Sequence, residues 1–205
     1  MAIARTLWDI FRDREVYGFH GNTRSRIERT IRENFVREGQ SGDWLGAGLY
    51  FWQDAPNRAW DWAKNIARRD SLAKPTEEME EYQVMVVRLQ TNDHWIDLIE
   101  QSSWTTRFHR AANAMVVGGW LPNQPNAIDP GNLQRPMLHK RDYAIIELAI
   151  NLAFADHIAV DAVRCAFVEG TPVFENSAIF DKTHVQITVR NPDVIVEYQV
   201  LSDGA

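Results

Sequence analysis

The sequence lacks the features that mark secreted and membrane proteins. It contains one cysteine, Cys165, so no disulfide can form within the chain. No apolar run approaches the roughly 20 residues that a membrane-spanning helix needs. The first 18 residues contain no apolar segment of the kind found in signal peptides. Together these absences predict a protein of the reducing cytoplasm with no membrane partner.

Several catalytic motifs are also missing. The chain has no histidine pair at helical spacing for zinc, no cysteine pair, no phosphate-binding loop, no G-x-S-x-G elbow and no dinucleotide fingerprint after a strand. Metal-dependent hydrolysis and nucleoside-triphosphate hydrolysis therefore lose their usual sequence evidence, and no metal is expected. Cys165 lies in an apolar strand pattern, where a free cysteine is more often core filling than a nucleophile.

The composition is that of one globular domain. Apolar residues make up 45% and charged residues 24% of the 205 residues. A chain of this length suits a single compact domain, here residues 1–205. The net charge of −6 argues against a protein that coats duplex nucleic acid, and leaves a local basic patch open. Strand and helix patterns mix without regular alternation, which favours an α+β fold.

The first third of the chain alternates strands and helices around a glycine loop. Residues 14–21 are typical of a short strand, and apolar residues at every fourth position predict a helix from Thr23 to about Arg37. The glycines of residues 39–48 predict a loop, which leads into an aromatic strand at 49–52. Pro56 suits the first turn of the helix that follows.

The rest of the chain is predicted with less help from local motifs. The predicted elements are an acidic connector at 73–81, a buried strand at 82–90, a helix that ends near Gly118, a long loop at 121–136, a helix at 141–157, a strand at 162–170, and one or two strands at 183–201. The long loop is dense in proline, asparagine and glycine, and long loops in compact domains are often functional.

His20, Gly21 and Tyr50 come together if the two predicted strands pair. A histidine, backbone donors at a glycine and an aromatic wall are the parts needed to hold a flat ring that bears an amide. For each residue alone, an ordinary half-buried strand position is the simpler interpretation. Their arrangement, together with a glycine loop that plain core packing does not require, favours a binding site.

The same residues carry a resemblance to a known family. The sequence resembles the ADP-ribosyltransferase superfamily, in the branch of the poly(ADP-ribose) polymerases and diphtheria toxin, where a strand ending in His-Gly is followed by a helix and by G-x-G-[IL]-Y-F. Here these motifs are His20-Gly21 and Gly46-Ala47-Gly48-Leu49-Tyr50-Phe51. The segments FHGN, DWLGAGLYFW, PNRAWDWA and THVQITVRNP look like those of a group of bacterial proteins built on that fold.

The resemblance covers about the first 65 and the last 30 residues. Residues 72–160 are a less well matched helical and loop insertion. The family implies an α+β fold in which two packed mixed or antiparallel sheets, with flanking helices, surround a cleft for NAD. NAD would be a substrate, and the implied chemistry uses no metal.

The family also implies roles for individual residues. His20 would bind the adenosine-side ribose, Gly21 would bind the nicotinamide amide through its backbone, and Tyr50 would line the nicotinamide ring. A second stacking aromatic is expected one or two helix turns later, where Trp60 and Trp62 both stand. Trp62 shares a helix face with Ala59, Ala63 and Ile66, so core packing is its alternative interpretation.

The third family position is a glutamate at the start of a late strand, and this chain departs from it. Matching that position to QITVRNP places Gln186 there. A glutamine can accept a hydrogen bond from the ribose 2′-hydroxyl but carries no charge to offset the developing cation. If Gln186 instead begins the Gln-x-Glu motif of arginine-directed relatives, the catalytic position is Thr188. Glu169 and Glu175 lie upstream and are further candidates without motif support.

The predicted first helix carries Arg24, Arg26, Arg29 and Arg32 next to His20. Glu28 and Glu33 interleave with them, so a solvated face with ion pairs at helical spacing is one interpretation. The other is an anion patch that binds the NAD pyrophosphate, with Arg24 nearest to His20, or an RNA or DNA target.

The resemblance implies a mono-ADP-ribosyltransferase that modifies a protein or nucleic-acid acceptor. A bacterial toxin or defence effector, with an antitoxin or immunity protein as a partner, is the role expected of a small enzyme of this kind. NAD glycohydrolysis and a catalytically silent module that binds NAD or ADP-ribose are the alternatives. A further alternative is a globular domain in which His20 and Tyr50 are purely structural. The loop at 121–136 is a candidate contact with the acceptor.

Overall fold

The computed structural model describes residues 14–36, 43–76, 78–100, 103–121 and 139–202. Its elements follow in chain order as β1 (Glu15–Thr23), α1 (Arg24–Arg32), β2 (Leu49–Gln53), α2 (Pro56–Ala73), β3 (Tyr82–Gln90), β4 (Trp95–Asp97), α3 (Ser103–Gly118), α4 (Lys140–Ala155), β5 (Ala162–Phe167), β6 (His184–Val189), a 3-10 turn (Pro192–Val194) and β7 (Ile195–Ser202). The predicted α+β class is confirmed.

The described strands form one seven-stranded sheet in the order β4-β5-β6-β2-β1-β3-β7. The β4–β5 pair is parallel and the other pairs are antiparallel. Two packed sheets were expected, whereas the described strands belong to a single one. Its two halves, β4-β5-β6-β2 and β1-β3-β7, meet through only two register pairs, Gly18 with Gln53 and Phe19 with Trp52.

Alternation of side chains gives the sheet two faces, each with its own core. The face that carries Phe51 also carries Leu49, Met85 and Val87, and α1 packs on it through the fully buried Ile27. The opposite face, called here the Trp52 face, carries Phe19, Tyr50, Trp52 and Gln186. Helix α2 covers its β1-β2-β3 side through Ala59, and α3 and α4 cover its β4-β5 side through Trp104, Ile146 and Ile150.

The structure corrects several predicted boundaries. Helix α1 ends at Arg32, before the predicted Arg37, because Asn34 and Phe35 have φ of 52° and 60° and leave the helical region. The strand predicted at 162–170 ends at Phe167. Residues 183–201 form two strands that do not pair with each other, since β6 lies between β5 and β2 and β7 lies beyond β3. The predicted loop at 121–136 lies outside the described residues, apart from Leu121.

None of the helices in the described ranges has the length and apolar character needed to cross a bilayer.

Candidate functional site

His20 lies at the point where the two halves of the sheet separate. It follows Phe19, the last residue of β1 that is in register with β2. Its ring Nδ1 lies 2.8 Å from the carbonyl oxygen of Tyr50, so Nδ1 donates, and Nε2 lies 3.5 Å from the side-chain Nδ2 of Asn22. The side chain is buried against the ring of Phe51. His20 therefore joins the two halves of the sheet on the Phe51 face. Its ring contacts the main chain of Tyr50.

Gly21 lies on the opposite face and packs directly under helix α2. A Cβ built on Gly21 would lie 1.9 Å from the carbonyl oxygen of Ala59 and 2.7 Å from its carbonyl carbon. No side chain fits such a contact with the main chain of a helix. The glycine of the His-Gly pair thus has a packing reason of its own, independent of any ligand.

Tyr50 uses its hydroxyl to hold the loop that precedes its strand. The hydroxyl donates to the carbonyl oxygen of Gly46 at 2.7 Å and accepts from the amide of Leu45 at 2.7 Å. Gly46 and Gly48 have φ of +80° and +143°, in the region that favours glycine. This chain therefore needs the G-x-G spacing for the loop geometry itself.

A cavity of about 260 Å³ opens beside β2 on the Trp52 face. It is lined by Trp52, Arg58, Asp61, Trp62, Asn65 and Lys182. The two indole rings lie 5.8 Å apart between centroids. Trp52 is 7% exposed and Trp62 is 43% exposed, so core packing is the wrong interpretation of Trp62. Trp60 instead packs beside the core cluster of Trp52, with its ring near Tyr82.

Two buried donors of cavity-lining residues have no acceptor among the described residues. The indole nitrogen Nε1 of Trp52 and the guanidinium Nε of Arg58 are buried and make no hydrogen bond within the described part of the chain. A buried polar group without a partner costs free energy, on the order of 1–3 kcal/mol each. Because both atoms are closed off from solvent, a molecule in the cavity could bond to them only after the neighbouring side chains move.

Gln186 stands next to Trp52 in the sheet. The two residues are in register between β6 and β2, and Thr188 is in register with Tyr50 in the same ladder. The Gln186 Oε1 and the Thr188 Oγ1 are also buried, and neither finds a partner among the described residues. The two positions considered for the catalytic glutamate therefore both lie on the Trp52 face, together with Tyr50.

Sequence reasoning missed Arg58 and His184, which meet at Glu169. The Glu169 carboxylate pairs with Arg58 and lies 3.6 Å from Nδ1 of His184. That Nδ1 donates to the carbonyl oxygen of Lys182 at 2.8 Å. Arg58 and Glu169 are 111 positions apart in the chain, so no local spacing could have revealed the pair. Glu175, the other upstream candidate, is exposed.

His184 should make the stability depend on pH. Burial, the largest cause, lowers the pKa of His184 below its ordinary value, against the hydrogen bond to Lys182 and the charge of Glu169, which raise it. In the unfolded chain the His184 imidazole takes up a proton at about pH 6.5. In the folded chain, burial keeps it neutral to a lower pH. The contribution of neutral His184 to the free energy of unfolding is therefore complete above that pH and is lost as the pH falls.

We expect the urea unfolding free energy to fall between about pH 7.5 and about pH 5.5, and to fall less in His184→Gln. His109→Gln, at an exposed histidine, is the control and should keep the wild-type pH dependence. If the unfolding free energy of His184→Gln depended on pH as steeply as that of the wild type, His184 would not be the cause of the pH dependence.

Arg24 and Arg26 of α1 pair with acidic side chains, and neither residue lines the cavity. Arg24 is 56% exposed in its side chain and pairs with Glu28 at 2.8 Å and with Glu81 at 3.2 Å, and Arg26 pairs with Asp70. Glu81 directly precedes β3, so Arg24 lies on the side of β1 away from β2. These ion pairs favour the solvated-face interpretation of Arg24 and Arg26.

The remaining reactive groups give no second candidate. Burial raises the pKa of the Cys165 thiol, which suits core filling better than nucleophilic attack. Over the described ranges, no three His, Cys, Asp or Glu side chains are placed to hold a metal ion.

Comparisons of this chain with protein-family models, with curated proteins and with solved structures find no match. The resemblance to the ADP-ribosyltransferases therefore stays a prediction from the motifs.

Proposed function

We propose that this protein is a mono-ADP-ribosyltransferase that transfers ADP-ribose from NAD to a protein or nucleic-acid acceptor. The observation that carries the proposal is the cavity lined by Trp52 and Trp62, which opens beside β2 on the sheet face that also bears Gln186 and Tyr50. An exposed indole lines it, and two buried donors and a buried acceptor without partners among the described residues lie next to it.

The chemistry of nicotinamide riboside fits this combination. The indole ring of Trp62, which is 43% exposed and packs against Trp52, offers a flat surface to the pyridine ring. Trp52 Nε1 and Arg58 Nε are closed off from solvent, and they become donors for the carboxamide oxygen if the side chains around them move. Gln186 Oε1 is buried beside the cavity lining, and the same movement would make it an acceptor for a hydroxyl of the attached ribose. Each unpartnered atom would thus gain the hydrogen bond that the described chain does not give it.

The residues present suit slow transfer of a single unit. Cleavage of the bond between nicotinamide and ribose C1 gives neutral nicotinamide and a cationic ribose, so positioning and electrostatics carry the catalysis. Gln186 can accept a hydrogen bond from a ribose hydroxyl but does not offset the charge of that cation. The Glu169 carboxylate is already paired with Arg58. Polymer elongation, which requires many efficient turnovers on one product, fits this set less well than mono-transfer.

A catalytically silent module that binds NAD or ADP-ribose is the second candidate. The neutral Gln186 favours it, and so does the Tyr50 hydroxyl, which is already bonded to Leu45 and Gly46. Such a module would bind nucleotide and release no nicotinamide. NAD glycohydrolysis, with water as the acceptor, would release nicotinamide and label no macromolecule. A role as a bacterial toxin or defence effector with its own antitoxin belongs to the transferase proposal.

The test is incubation with adenylate-labelled NAD and cell extract separated into protein, RNA and DNA. The wild type should label one fraction, and Trp62→Ala should weaken NAD binding by about tenfold through the lost aromatic surface. Trp120→Ala, at an indole that is 70% exposed and outside the cavity lining, is the matched control. Gln186→Glu should raise the rate of nicotinamide release.

The outcomes separate the candidates. Release without label indicates hydrolysis, and NAD binding without release indicates the silent module. Absence of NAD binding, or equal binding by the wild type and Trp62→Ala, would contradict the proposed site.

A further inference from the structure

The glycine loop before Tyr50 is held by two charged side chains from distant parts of the chain. Glu147 of α4 accepts from the amide of Ala47 at 2.7 Å and from Nη1 of Arg190 at 2.6 Å. Its other oxygen accepts from Nη2 of Arg190 at 3.1 Å, and Nη1 of Arg190 also donates to the carbonyl oxygen of Ala47 at 2.9 Å. Both main-chain polar groups of Ala47 are thus bound by one ion pair.

The fit between this pair and the loop is close. A Cβ at Gly46 would lie 2.4 Å from Oε1 of Glu147, so a side chain there would displace the carboxylate from its present position. The side chains of Glu147 and Arg190 are 22% and 20% exposed, which shields their charges partly from water. Two oxygens of the carboxylate meet two nitrogens of the guanidinium, the bidentate geometry that makes such pairs strong and directional.

We infer that Glu147 and Arg190 are positioning residues for the candidate site, an inference that rests on the proposed function for its catalytic consequence. With the Tyr50 hydroxyl bonded to Leu45 and Gly46, they hold three successive loop residues in place. The loop leads directly into β2, which carries Tyr50 and Trp52. Glu147 belongs to the segment that the family motifs do not cover, so that segment contributes to the geometry of the site.

The structural consequence is tested without NAD, by hydrogen exchange of the Ala47 amide and by the NMR signal of carbon-13 tyrosine at Tyr50. Glu147→Ala should speed Ala47 exchange by about tenfold or more, because the loop loses a charge-assisted hydrogen bond. It should also shift the Tyr50 signal.

Glu147→Gln keeps an acceptor for Ala47, so the exchange rate of its Ala47 amide should lie between those of Glu147→Ala and the wild type. Asp156→Ala breaks the ion pair with Arg107 at the end of the same helix and should change neither observable. Wild-type exchange and an unshifted Tyr50 signal in Glu147→Ala would overturn the inference.

The catalytic consequence is tested by nicotinamide release. Glu147→Ala and Arg190→Lys should lower kcat more than they raise KM, while Glu147→Gln recovers part of the rate. A variant with a mobile loop but wild-type kcat and KM would refute the positioning role. If the wild type itself releases no nicotinamide, the transferase proposal fails, and the exchange and tyrosine measurements still decide whether the pair positions the loop.

Discussion

Replacing Gly21 with alanine is expected to destabilise the protein by about 3 kcal/mol or more. The new methyl group would lie 1.9 Å from the carbonyl oxygen of Ala59, 2.7 Å from its carbonyl carbon and 3.2 Å from its Cα. All three atoms belong to the main chain of α2, so relief requires the helix to move off the sheet. The loss is a large part of the roughly 5–15 kcal/mol that stabilises an ordinary domain. Urea unfolding, or loss of soluble protein, measures it.

Gly118→Ala provides the matched control. A Cβ there meets only ring atoms of Trp120, the nearest at 2.9 Å, and that indole is 70% exposed and free to turn away. Because alanine favours the helical backbone by about 0.5–1 kcal/mol over glycine, this substitution should be neutral or stabilising. A Gly21→Ala protein with the wild-type unfolding midpoint would show that α2 does not pack on β1 as described.

The packing of Gly21 also affects how activity data are read. The family motif implies that Gly21 binds nicotinamide, so a loss of NAD response in Gly21→Ala would look like support for that role. A displaced α2 would produce the same loss, because Arg58 and Trp62 of that helix line the cavity. Trp62→Ala is the cleaner probe, since Trp62 is half exposed and its truncation leaves the sheet packing in place.

Local elements could be predicted from the sequence because their signals are local. The four-residue spacing of Ile27 and Ile31 identifies α1, and Pro56 marks the start of α2. Strand order leaves no such signal. The sequence of residues 183–201 predicts one or two strands without their partners, and β6 and β7 lie in different halves of the sheet, because pairing depends on partners far away in the chain.

Some residues of the candidate site could likewise be predicted from the sequence, and others could not. Tyr50, Trp62 and Gln186 were expected in the site, and the structure places all three on one side of the sheet. His20 lies on the other face, since neighbouring strand residues point in opposite directions and Gly21 faces α2. Arg58, His184 and Glu147 could not be found from the sequence, because Glu169, the partner of the first two, and Ala47, the partner of Glu147, lie outside their local segments.

Arg164→Leu is expected to cost about 3–5 kcal/mol, because it removes one member of a buried charge network. Arg164 is 6% exposed, and its Nη1 donates to Asp97 at 2.7 Å and to Glu100 at 3.2 Å. Its Nε donates to the side-chain oxygen of Gln53 at 2.7 Å, which ties β5 to the end of β2. The leucine variant would leave Asp97 buried, with Arg14 at 3.8 Å as its remaining ion-pair partner among the described residues.

The control and a second substitution separate this cause from a simple loss of packing. Arg107→Leu removes an exposed ion pair with Asp156 and should cost no more than about 1 kcal/mol. Adding Asp97→Asn to Arg164→Leu removes the stranded charge, so the double variant should be more stable than the single one. If unfolding in urea shows that the two losses simply add, the cost does not come from an unpaired carboxylate.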